Sequence, residues 1–119
     1  MNTNKIIARL GLLSLAVISV SAIAAEPVNM EAAKKLAETC QACHGADGNA
    51  TAPIYPRLAG QYADYLARAL HEYRDGGRVN PIMGVYAENL TDQDIKNLAA
   101  YFSAMPGKLD DLYGRMQGE

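Results

Sequence analysis

Tryptophan is missing from this 119-residue chain, phenylalanine occurs once, and cysteine and histidine occur twice each. So few cysteines and histidines supply a structural zinc site poorly, because such a site usually takes four of them. No stretch alternates apolar and polar residues as a strand does. The βαβ setting of a dithiol oxidoreductase is therefore absent as well. There is no internal repeat. Basic residues number 11 against 13 acidic ones and form no single stripe, a poor match for the phosphates of nucleic acid. A domain of this size has little core of its own.

Against these absences stands one dense motif, Cys40-Gln41-Ala42-Cys43-His44. A Cys-x-x-Cys-His run is the attachment signature of a c-type haem. Two thiols three positions apart lie on one side of a helical turn. From there they reach the two vinyl groups of one porphyrin, and the histidine that follows reaches the iron. A local disulfide between the cysteines suits an oxidising compartment but leaves His44 without a role. The motif predicts one covalent haem c held by Cys40, Cys43 and His44, and with it single-electron chemistry.

Residues 1–25 read as a secretory signal. Lys5 and Arg9 give a positive start, Leu10 to Ile23 is apolar, and Ala22-Ile23-Ala24 supplies small residues for cleavage. The alternative, a membrane anchor, is disfavoured because the stretch is shorter than the roughly 20 residues of a usual span. Thioether attachment of haem takes place outside the bacterial inner membrane, so signal and motif both point to the periplasm. Removal leaves residues 26–119, a single domain with 9 basic and 13 acidic residues and a net charge of −4. Electrostatic docking, if used, would favour a partner with a basic patch.

Three helices are expected. The first runs from about Met30 to the haem motif, with Asn29 as N-cap and Ala33, Leu36, Ala37 and Cys40 on one stripe. The second runs from about Gln61 to Arg74, with Tyr62, Tyr65, Leu66, Ala69, Leu70 and Tyr73 in helical rhythm. Asp64–Arg68 and Arg68–Glu72 are its i,i+4 charge pairs. The third opens on Thr91-Asp92-Gln93-Asp94, a capping-box-like start, and buries Ile95, Leu98, Ala99 and Phe102. Residues 44–60 and 76–89 read as irregular loops, from their glycines and prolines. The tail, residues 107–119, reads as a short turn of helix or a loose end.

A haem held by one histidine leaves its sixth iron position open to small ligands, and a second strong ligand closes it. Met30, Met83, Met105 and Met116 remain after signal removal. Met30 shares the first helix with the motif, Met105 ends the third, and Met116 lies in the tail. Met83, in the loop before the third helix, is the natural choice. His71 is the competitor, but it falls on the polar side of the second helix.

Together these residues resemble small bacterial class I cytochromes c, especially the cytochrome c4 and c553 group. The resemblance covers nearly all of residues 26–119. It rests on Cys40 to Asn49, on Pro56-Arg57-Leu58-Ala59-Gly60-Gln61 with Tyr65-Leu66, and on Leu90 to Ile95 with Leu98 to Phe102. It implies an all-α class I cytochrome c fold, three main helices packed around one covalent haem. The first and last helices cross at Tyr101 or Phe102. It implies an axial methionine seven residues before Leu90, which is Met83. It implies a proline carbonyl that holds the second nitrogen of the haem histidine, with Pro53 favoured over Pro56. Cytochromes c4 usually carry two such domains, and this chain has one motif and length for one.

The expected function is a soluble periplasmic single-haem carrier, not an enzyme, moving electrons between redox protein partners as a monomer or weak oligomer. It would meet membranes only through partner complexes. The alternatives are a haem c subunit of a periplasmic dehydrogenase and, if the sixth position stays open, a ligand-binding haem sensor or peroxidase.

Overall fold

A computed structural model describes residues 26–108. The expected signal segment, and Met116 in the tail, lie outside the described residues. Helix α1, Met30–His44, starts where Asn29 turns its side-chain oxygen onto the Ala32 N–H, and it ends at Gly45. Helix α2, Ala63–Asp75, stops at Gly76, whose φ of 81° is a left-handed conformation suited to glycine. Helix α4, Asp92–Ser103, has the full reciprocal capping box between Thr91 and Asp94. These are the three expected helices, and no strand occurs among the described residues.

The expected loop at 76–89 is corrected by a fourth helix, α3, Pro81–Ala87. Pro81 stands at its first turn, where a missing N–H costs nothing. The Asn80 side chain accepts from the N–H groups of both Ile82 and Met83, at 2.9 Å each. Proline and Gly84 hid the helix in the sequence. One expected charge pair also fails to form. Arg68 lies 3.7 Å from Glu72, whereas the Asp64 carboxylate accepts from the Tyr65 N–H instead.

Helix α4 is the hub. It packs on both α1 and α2, and α3 packs on α2. Its expected stripe is buried: Ile95, Leu98, Ala99 and Phe102. Fully buried Ala33 and Ala37 form the inner face of α1, and small side chains let two helices approach closely. Among the described residues, seven of the eleven buried hydrophobic ones are alanines, and only Ile95 and Leu98 are large and fully enclosed. So the shell is well formed while its centre is short of bulk.

One buried polar residue was not legible in the sequence. Asn97, 3 % exposed, accepts from the Asn29 N–H at 2.9 Å and from Gln93 Nε2 at 3.0 Å. It fixes the start of α1 against α4. Asn97→Ala strands the Asn29 N–H, so it should cost roughly 1–3 kcal/mol of stability, measured by denaturant unfolding of the holoprotein; an unchanged midpoint would contradict this role.

Candidate haem site

The space missing from the core is a cavity of about 390 Å³, within the size range of small-molecule sites. Cys40, Cys43 and His44 lie along one side of it, from the last turns of α1. Leu66, Leu70, Leu98 and Phe102 supply apolar wall from α2 and α4, and Met83 enters the lining from α3. The three motif residues and the expected sixth ligand are therefore gathered around one hollow.

Both cysteines are free and half-buried. Burial pushes the Cys40 thiol up from its usual range. The neighbouring Cys43 thiol raises the Tyr55 phenol pKa, and the Tyr55 ring meets the His44 ring edge-on at 6.3 Å. His44 is buried, with Nδ1 2.8 Å from the Pro56 carbonyl. That contact occupies Nδ1 as a donor and leaves Nε2 as the ring nitrogen for a metal.

Pro56 corrects the favoured reading of Pro53. The Tyr55 N–H donates to the Ala52 carbonyl at 3.1 Å, closing a turn with Pro53 at its second position. Pro53 is carried outward by that turn, and the chain returns to the histidine at Pro56.

The loop bearing Pro56 is fastened at its base. The Leu58 and Ala59 N–H groups both donate to the Gly48 carbonyl, at 2.8 and 3.0 Å, and Gly60 N–H donates to the Phe102 carbonyl at 3.1 Å. Gly48 has φ +71°, and a Cβ there would stand 3.0 Å from Ala59. Two polar residues missed in the sequence complete the fastening. Buried Asn49 donates through Nδ2 to the Pro106 carbonyl at 3.0 Å and accepts from the Lys108 N–H at 3.2 Å. Gln41, between the cysteines, donates to the Ala46 carbonyl and lies 3.3 Å from the Tyr101 hydroxyl. Tyr101 thus faces α1, while Phe102 meets it edge-on and turns into the core.

The other ligand candidates lie elsewhere. Met30 is exposed, and Met105 packs against the core cluster beside Gly48, outside the cavity lining. His71 does not line the cavity. Its Nδ1 is 3.0 Å from Arg74, which also donates to Asp92 at 2.8 Å and so ties α2 to α4.

Two cations, Arg57 and Arg78, line the cavity, and no carboxylate does. Arg78 is set 3.1 Å from Glu72 and over the Tyr73 and Tyr65 rings, at 5.3 and 6.0 Å. The Tyr73 and Tyr65 side chains, and then Glu72, raise its pKa. An apolar hollow lined by two thiols, a pre-oriented imidazole, a thioether and two arginines fits a haem, a flat apolar ring with two carboxylates. Cys40 and Cys43 stand in the arrangement that would bond a haem c, with the His44 imidazole beside them.

Comparison with known proteins agrees with this fit. The family model for cytochrome c matches residues 30–106. The chain is 48 % identical over 68 residues to cytochrome c4 of Pseudomonas aeruginosa, covering 57 % of this chain and 34 % of that protein. It is 49 % identical over 69 residues to cytochrome c-554(548) of Halomonas halodenitrificans, covering 56 % of this chain and 83 % of the relative. It is 33 % identical over 85 residues to the cytochrome subunit of sulfide dehydrogenase of Chlorobaculum tepidum, covering 71 % and 76 %. Cytochrome c4 of Acidithiobacillus ferrooxidans superposes with a TM-score of 0.61 at 34 % identity, covering 64 % of this chain and 49 % of that one. The chain thus spans about a third to a half of the cytochromes c4 it matches.

If haem is the missing core, a chain that cannot bond it should lose its fold. The double variant Cys40→Ser, Cys43→Ser is expected to lack a cooperative thermal transition and much of its 222 nm ellipticity. A haem-free variant that melts like the wild type would show that the alanine-rich shell suffices alone.

Proposed function

The chain belongs to the cytochrome c family, and from that premise we propose that it is a periplasmic electron carrier, with one haem c bonded to Cys40 and Cys43 and ligated by His44 and Met83. The observation that carries this reading is the convergence of those four residues on one apolar cavity. When bound, the haem supplies one-electron chemistry at its iron. The protein's own residues select that chemistry. Pro56 fixes the His44 ring and, by accepting from Nδ1, makes Nε2 the more basic donor. Met83 offers a thioether where an open position would otherwise admit small ligands, and a His/Met pair raises the potential. The apolar wall keeps water from the centre, and Arg57 and Arg78 offset the carboxylates of the group. The reading is of a carrier rather than an enzyme, which membership of the cytochrome c family supports.

Residues 1–25 fit export to the periplasm, and no helix among the described residues is long and apolar enough to cross a membrane. A second reading is favoured by the relative from Chlorobaculum tepidum, a subunit of sulfide dehydrogenase. On that reading the same haem domain serves a permanent dehydrogenase partner. Purification as a free monomer supports the carrier, and purification in a stable heteromeric complex supports the subunit.

The test of the ligand set is spectroscopic. Oxidised wild type should show the weak near-infrared band of a sulfur–iron bond, and its reduced form should bind CO poorly at neutral pH. Met83→Ala should lose the band, bind CO readily and fall in potential, while His71→Ala changes none of these. The opposite pattern would overturn the assignment of Met83 and the carrier reading together.

A further inference from the structure

The helix that carries Met83 is held thinly. Among the described residues, α3 packs on α2 and on no other helix. Of its seven residues only Ala87 is buried. A segment with so little burial of its own opens locally at low cost. Its place beside the cavity therefore depends on how its two ends are fastened.

Both ends are clasped by the last turn of α2. At the near end, the Arg78 N–H donates to the Glu72 carbonyl at 3.0 Å, and the Arg78 guanidinium lies 3.1 Å from the Glu72 carboxylate. At the far end, Arg74 Nη1 donates to the Leu90 carbonyl at 3.1 Å and to the Asp92 carboxylate at 2.8 Å. Asp75 accepts from Arg74 Nε at 2.8 Å, and His71 Nδ1 lies 3.0 Å from Nη2. With Asp75 on Nε, the fork stays aimed at Leu90 even without His71. The chain thus leaves α2 after Asp75 and is brought back to that same turn at Leu90, with Met83 on the span between.

An arginine at a helix end has an ordinary use, because a cation there complements the helix dipole. That use needs no partner beyond the helix itself, whereas Arg74 reaches out of α2 to Leu90 and Asp92. Its side chain is 22 % exposed, against 67 % for Arg68, whose pair with Glu72 stays on the surface of α2. Exposed pairs contribute little, while charge-assisted hydrogen bonds from an aimed guanidinium are among the strong ones. Arg74 does not line the cavity, so its effect on the site passes through the segment it holds.

We infer that Arg74 is a positioning residue for the sixth iron ligand: it pins the far end of the Met83 segment to α2 and so limits how often that ligand leaves. The inference rests on the reading above, in which Met83 ligates the iron. The Leu90 side chain also packs against the core cluster, so loss of the guanidinium loosens this end without releasing it. Met83 then still ligates, but it departs more often.

The test follows CO binding to the reduced, haem-loaded protein by rapid mixing, far from any unfolding transition, because CO reaches the iron only while Met83 is away. Arg74→Met keeps an unbranched stem and removes the donors. It should bind CO about tenfold faster than wild type, the weight of one charge-assisted hydrogen bond, with the near-infrared band of the oxidised protein retained. Arg74→Lys keeps a cation near Asp92 but loses the fork, so its rate should lie between the two. It carries the test alone if the methionine variant does not fold. Asn97→Ala is the control for stability, since it loosens the fold at the start of α1 instead, and it should bind CO at the wild-type rate. Wild-type rates in the Arg74 variants would overturn the inference, and so would an equal acceleration in Asn97→Ala, the mark of general loosening. Met83→Ala separates these outcomes from the ligand assignment. Fast CO binding there, with wild-type rates in the Arg74 variants, removes the positioning role alone. Wild-type CO binding in Met83→Ala removes the assignment of Met83 and the positioning role with it.

Discussion

A shell of four helices that buries seven alanines and only four larger apolar side chains cannot meet itself at the centre. Burial stabilises in proportion to the apolar area removed from water, and alanine removes little. The helices are instead spaced by what they surround. Each wall of the hollow then follows from that spacing. Leu66 and Leu98 point inward because their stripes face it, the motif cysteines sit where α1 runs alongside it, and α3 adds Met83 to its lining. The packing deficit and the site are one feature seen from two directions.

The hydrogen bonds have a complementary role. Those that matter most are not within helices but between segments far apart in sequence. Asn97 holds the start of α1, and Asn49 and Gly60 hold the long loop to the end of α4. Buried polar groups that are fully paired fix one arrangement at low cost, whereas the same groups unpaired are expensive. The loop carrying Pro56 is therefore held by its base even though many of its side chains are exposed, and the imidazole it orients inherits that fixity.

Much of this was legible in residues and spacings. The motif named its own chemistry, because thiols and imidazole at that spacing have few other uses together. Asn29 and the Thr91–Asp94 box marked two helix starts, since a cap is a local hydrogen bond that local sequence encodes. The helical stripes located the buried face of α4 and, on α2, Leu66 and Ala69, whereas Tyr62 and Tyr65 of the expected α2 stripe are exposed. What escaped depended on distant partners or short elements. Helix α3 is seven residues long and contains proline and glycine, yet Asn80-Pro81 is itself a start signal that outweighed both. Pro53 and Pro56 differ only in which side of a turn they occupy, and the turn closes through a backbone bond. Asn49 and Asn97 look like any surface asparagine until the chain brings Pro106 and Asn29 beside them.

The central place of α4 has a consequence in time rather than space. Its contacts with α1 join residues roughly sixty to seventy positions apart, as Gln41 with Tyr101 and Asn29 with Asn97 illustrate. Contacts of such separation form late, after the intervening loop entropy has been met. A chain emerging from one end presents α1 and its two thiols well before α4 exists to cover them. The cysteines are therefore accessible while the chain is being made, and they become half-buried only when the last helix arrives. The order of segments along the chain leaves a period in which the thiols are open to reaction, and α4 then closes it.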